Sequence, residues 1–222
     1  MMRKPYSPTR DDLRRRSIFK FHYAKALCQI MKSPSCAEAQ GRALAVVHFD
    51  AHCDTWNSHF DEPSRHGTWV YEAIQEGLVI KACFTQLGIR SACVREARDY
   101  VADQGGQIFT ARALRGLDSP AQLQGVFSTI RRSLAAHGYP PVYLSLDIDC
   151  LDPAFALGTG TPEAGGLSSN QVLSILEELA DLPFVGMDCV EVSPPYDHAE
   201  LTRQAAANFV WTYLCGRIAQ RA

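Results

Sequence analysis

Five apolar runs alternate along this chain with longer amphipathic stretches, and that rhythm limits the folds open to it. ALAVVHF (43–49), ACFTQLGI (82–89), QIFTA (107–111), VYLSLDID (142–149) and FVGMDCVEV (184–192) read as strands. They are nearly unbroken in apolar character, which suits burial on both faces rather than one. Between the first two, HGTWVYEAIQEGL (66–78) reads as a helix ending at Gly77, a residue that tolerates a left-handed cap. Further helices are expected through VREARDYVADQ (94–104) and over 119–138, the latter with Ser119 as N-cap and Pro120 at its first position. Ser168 or Ser169 opens the helix NQVLSILEELAD, and residues 198–220 form the closing helix. Alternation of this kind predicts an α/β fold of three layers, α/β/α, around a parallel, doubly wound sheet. Such sheets bind ligands at the carboxyl ends of their strands.

The first 42 residues break the rhythm. They hold a basic cluster and a Ser33-Pro34-Ser35 break, and are expected to form an arm with a helix over about 18–31, ahead of a domain over 43–222. A net charge of −2 gives no ground for bulk binding to nucleic acid or an anionic membrane. No apolar run approaches the roughly 18 residues that span a bilayer, and the start lacks the apolar core of a secretory signal. Eight cysteines without a CxxC pair, several inside apolar runs, fit free thiols in a reducing cytoplasm.

The conspicuous acidic clusters fall at strand ends. The strand over 43–49 runs into Asp50-Ala51-His52-Cys53-Asp54, and VYLSL runs into Asp147-Ile148-Asp149. Side chains two apart in extended chain share a side, so Asp50, His52 and Asp54 are expected to converge, as are Asp147 and Asp149. Four carboxylates at one partly buried point cannot all stay ionised, because like charges raise one another's pKa. Divalent cations remove the conflict. Oxygen ligands with one imidazole suit a hard ion such as Mn²⁺, and two ions about 3.5–4 Å apart can share bridging carboxylates. A single Asp at a strand end is ordinarily a turn residue; the pairing of two clusters favours metal. His48 is assigned to the side opposite His52, as a core or supporting histidine. Cys53 is expected to point away from the ligands beside it.

HFDAHCD (48–54) and SLDIDCLDPAFALGTGTPEAGG (145–166) resemble the two signature stretches of the ureohydrolases, a family that includes arginase, agmatinase and related guanidino-acid hydrolases. RHGT (65–68), EGL (76–78) and VGMDCVEVSPPYD (185–197) resemble further family segments, and the likeness is nearer to agmatinase than to arginase. The resemblance implies an arginase-like sheet and hydrolysis of a guanidinium group, most simply agmatine to urea and putrescine, a step of polyamine biosynthesis. It implies two Mn²⁺ ions, with Asp50 and Asp147 bridging, His52 and Asp149 on one ion and Asp54 on the other. His66 would be the acid/base histidine that protonates the leaving amine, and Glu191 the carboxylate that holds the guanidinium. Asn57 or Trp56 would line the tail pocket. Glu163 either recognises the substrate tail or shapes its loop. Family members are commonly homo-oligomers, trimers or hexamers.

The match is incomplete. The family carries another histidine ligand in a GGDH segment upstream of the first signature, and this sequence has no GGDH. The family's earlier strands are expected to be missing, leaving an N-terminally shortened sheet whose edge is exposed or covered by residues 1–42 or a partner chain. His22 is the candidate substitute ligand. Leu157 stands where the family usually has proline before GTGTP. Two alternatives follow: a catalytically impaired, truncated ureohydrolase-like protein serving as a structural or oligomer subunit, and a related single-zinc deacetylase.

Overall fold

In the computed structural model the described residues are 43–58 and 64–220, so the expected arm over 1–42, its helix and His22 lie outside them. Five parallel strands make one sheet: β1 (Leu44–Phe49), β2 (Val79–Ile89), β3 (Gln107–Thr110), β4 (Val142–Asp147) and β5 (Phe184–Val190). Their spatial order is β3-β2-β1-β4-β5. The chain therefore steps outward from β1 to β3, then returns to the other flank of β1 for β4. The reversal lies between β1 and β4, and in open parallel sheets the crevice at the strand ends there is the usual ligand site.

Helices cover both faces, as the apolar strands require. They are α1 (Trp69–Gln75), α2 (Arg95–Asp103), the short α3 (Ala111–Leu114), α4 (Pro120–Ala136), α5 (Ser169–Glu178) and α6 (Leu201–Ala219). On one face Ala45, Val47, Phe49, Leu144 and Leu146 pack with Phe127, Ile130, Ile175 and Phe209. On the other, Leu44, Val46, Phe84 and Tyr143 pack with Trp69, Val70, Ile74 and Val101. Ser119 and Ser168 cap α4 and α5 in reciprocal boxes with Gln122 and Gln171. Gly77 has φ +68° just beyond α1, as expected. Among the described residues β3 and β5 are the sheet's edges, β5 is half-buried along most of its length, and no helix is long and apolar enough to cross a membrane.

Two expectations are corrected. The fourth strand ends at Asp147, and Ile148–Cys150 form a 3-10 turn, because the Asp147 carboxylate accepts the Asp149 N–H at 2.9 Å and bends the chain. Residues 50–54 are not extended either, and Asp54 has φ +53°. Turns, rather than strand alternation, bring the acids together.

The loop after β1 rests on β2. Asp50 donates its N–H to Leu87 O at 3.1 Å, and the carbonyl of Ala51 accepts from Arg90 and Ser91, both at 2.9 Å. Gly88 makes this possible: it has φ +99°, and a Cβ there would lie 3.0 Å from the Asp50 carbonyl oxygen. The pairing of β2 with β3 also shifts between Leu87 and Ile89. Gly88→Ala is therefore expected to lower stability by about 1–3 kcal/mol in equilibrium urea unfolding; an unchanged midpoint would contradict this account of the loop.

Candidate metal centre

Asp50 is the centre of the cluster. It follows β1 directly, and β1 is buried throughout, so its carboxyl is delivered into the interior at the strand end. Its Oδ1 accepts the His52 N–H at 2.6 Å and lies 3.3 Å from His52 Nδ1. Its Oδ2 is 3.0 Å from His48 Nε2. Asp149 arrives from the turn after β4: its Oδ2 is 3.0 Å from His52 Nδ1 and its Oδ1 accepts the Ala51 N–H at 3.0 Å. Thr161 donates to the same Oδ2 at 3.2 Å. Asp54 is held by the indole N–H of Trp69 at 2.9 Å, while its carbonyl accepts from Val70 N at 3.1 Å. The turn after β1 is thus pinned to the start of α1.

Two sets of donors have ligand atoms within 4.8 Å of one another: Asp50 with His52 and Asp149, and Asp50 with His48 and Asp54. Asp50 belongs to both. Four of the five expected ligands are thus gathered in these sets. Asp147 stands beside them, bonded to the Asp149 N–H, with its own pKa raised by burial and then by the charges of Asp149, Asp50 and Glu191. Only the side assigned to His48 is corrected: it is two residues from Asp50, shares its face, and is directed at it.

Burial and mutual repulsion dominate the electrostatics. Burial, then the Asp50 charge, lifts Asp54 well above the usual carboxylate range, and the same two causes lift Asp149. Asp50 is the exception. Burial opposes its charge, but hydrogen bonds from His48 and His52 hold it far below the ordinary value. Burial likewise opposes charge on His52, yet Asp149 and Asp50 raise it to about 11. Burial and mutual repulsion thus favour the neutral form of Asp54 and Asp149, while the neighbouring acids favour the charged form of His52. Carboxylate oxygens with an imidazole are the donor set of a hard divalent ion, so the residues present fit one.

The remaining candidates lie around this core. Glu163 accepts from Ser91 Oγ at 3.0 Å and lies 4.0 Å from His52 Nε2. Glu191 follows β5 with φ +60°, in the left-handed region that a long side chain seldom adopts. His66 opens the 3-10 turn His66–Thr68, and that turn is tied to the loop by Trp56 N–H donating to Gly67 O at 3.0 Å. Asn57 is exposed on the same loop as Asp54. Cys53 is buried against Ile89 and Ala97. Sequence reasoning passed over Trp69 and Gln86. It also passed over Arg90, whose guanidinium donates to the carbonyls of Gly88, Asp149, Cys150, Leu151, Glu163 and Ala164. A lone Arg or Gln in an apolar run was the available signal, since such a residue needs buried partners.

The family model described as the arginase family matches residues 28–216. An agmatinase of Chromobacterium violaceum is 43% identical over 180 residues, 81% of this chain and 51% of that protein. A solved structure of a hypothetical agmatinase from Burkholderia thailandensis superimposes with a TM-score of 0.70 at 39% identity, covering 83% of this chain and 54% of that one. The proclavaminate amidino hydrolase from Streptomyces clavuligerus does so with 0.72 at 40% identity, covering 81% and 57%. The chain spans about half the length of the curated relatives it matches.

The raised carboxyls yield a pH prediction. Without cations, the stability contributed by neutral Asp54, Asp147 and Asp149 is fully present below their unfolded pKa near 3.8 and is lost as pH rises through their raised folded values. A divalent cation must displace those protons. The rise in melting temperature on adding Mn²⁺ is thus expected to be large at pH 8 and to shrink toward pH 5. Equal rises at both pH values would contradict it.

Proposed function

This chain belongs to the arginase family, and from that premise we propose that its acidic cluster is a binuclear manganese site that hydrolyses the guanidinium group of agmatine to urea and putrescine. The observation that carries the reading is that ligand atoms of Asp50 lie within 4.8 Å of those of His52 and Asp149 on one side and of Asp54 on the other. Asp50, His52, Asp54, Asp147 and Asp149 would hold the ions. Two divalent ions held there would supply an acidified water as nucleophile and a positive field for the developing charge.

The chain's own residues do the rest. Glu191 holds the planar guanidinium by charge-assisted hydrogen bonds and so orients its carbon. Its left-handed backbone at a strand end is strain of the kind that persists where a side chain must be aimed. His66 hands a proton to the departing amine, on a turn anchored to the metal loop through Gly67 and Trp69. Glu163, near His52 on the GTGTPE loop, favours a cationic tail such as agmatine's over a carboxylate tail. Asn57 lines the outer part of that tail pocket. The assembly is proposed to be a homo-oligomer, a trimer or hexamer.

The test is urea release by the purified chain with Mn²⁺, offered agmatine, arginine and guanidinobutyrate. Agmatine is expected to be the best substrate, and Glu191→Gln to lower kcat/KM about 10–100-fold, the effect of weakening a hydrogen bond to a charged group. A manganese-loaded chain that releases urea from none of the three would overturn the hydrolase reading and leave a structural or oligomer subunit.

A further inference from the structure

A polar row crosses the sheet one layer beneath the acids. Gln86 of β2, His48 of β1, Ser145 of β4 and Asp188 of β5 stand opposite one another in register. Ser145 Oγ donates to Asp188 Oδ1 at 3.1 Å. Gln86, His48 and Ser145 are buried. The next layer down on this face is apolar, with Val46 paired to Phe84 and Tyr143. A buried polar side chain is costly when its partners are imperfect, so the row calls for a reason.

Gln86 supplies one. Its Nε2 lies 2.8 Å from the carbonyl oxygen of Cys53 and 3.3 Å from His48 Nδ1. A carbonyl can only accept, so the amide atom facing Cys53 is the nitrogen. The other N–H of that nitrogen then faces His48 Nδ1, which must accept. The ring proton is left on Nε2, 3.0 Å from Asp50 Oδ2. Gln86 Oε1 is buried without a hydrogen-bond partner, which is the cost of keeping the amide this way round. Trp69 meets the His48 ring edge-on at 4.9 Å and Phe84 does so at 6.2 Å, so the ring plane is fixed as well.

We infer that Gln86 and His48 are positioning residues: the amide sets the imidazole tautomer, and the imidazole holds the Asp50 carboxylate in the orientation that lets two ions share it. His48 is then a donor to Asp50 and not a ligand, although its ring nitrogen falls in the same donor set as Asp50 and Asp54. With Oδ2 engaged by His48 and Oδ1 by the His52 N–H, the carboxylate cannot rotate, and each oxygen keeps a lone pair for a cation. The inference rests on the metal-centre reading above for its purpose, but not for its geometry.

Two measurements test it. Long-range ¹H–¹⁵N correlation on the metal-free full chain is expected to show His48 as the Nε2–H tautomer, with that preference lost in Gln86→Met. Titration with Mn²⁺ is expected to show affinity weakened about 10–100-fold in His48→Leu, the usual effect of removing a group that orients a ligand. His48→Gln, which returns an N–H near the Nε2 position, is expected to recover most of it. An Nδ1–H tautomer in the unsubstituted chain, unchanged affinity in His48→Leu, or equal losses in the Leu and Gln variants would overturn it. If the unsubstituted chain takes up no Mn²⁺, the metal-centre reading falls and the tautomer measurement alone decides this one.

Discussion

Four buried carboxyls from two neighbouring strand ends press against one another, and much of the surrounding structure exists to hold them there. Asp50, Asp54, Asp147 and Asp149 are all nearly inaccessible to solvent. Isolated in an apolar interior, one ionised carboxylate is already unfavourable, and four together are far more so. The chain meets this partly by leaving Asp54, Asp147 and Asp149 with raised pKa values and partly by placing two imidazoles against Asp50. Carboxylates gathered with an imidazole in this way are the donor set that a hard divalent cation would use.

The support is built from backbone as much as from side chains. Gly88 lets the loop after β1 approach β2, and the Ala51 carbonyl is gripped by the N–H groups of Arg90 and Ser91. The planar guanidinium of Arg90 collects carbonyls from the turn after β4 and from the 163–164 loop, a task suited to its rigid fork of donors. Trp69 closes the other side on Asp54. These contacts join the loops after β1, β2 and β4 into one rim at the point where the strand order reverses.

Most of the fold was legible in the sequence, because apolar runs and Ser/Pro helix starts report local structure. The five strands and the caps at Ser119 and Ser168 stand where the pattern puts them. The acidic positions were legible too, but not the way they converge. Alternation holds only while the chain is extended, and Asp149 and Asp54 lie in a 3-10 turn and a left-handed turn that the side chains themselves help to create. His48 was legible as a buried supporting histidine but assigned to the wrong face, although its spacing from Asp50 was in plain view. Gln86 and Arg90 could be flagged only as polar residues in need of buried partners, and neither they nor Trp69 could be placed at the site, because their roles depend on register between strands and on loops distant in sequence. The expected arm and His22 fall outside the described residues.

The central claim is that Asp50 is shared by two cations, and counting ions tests it most directly. Equilibrium dialysis of the full chain against Mn²⁺ at pH 8, followed by elemental analysis, is predicted to give two manganese ions per chain, with both lost in Asp50→Asn. A chain that retains none or one, or an Asp50→Asn variant that still holds two, would contradict the account.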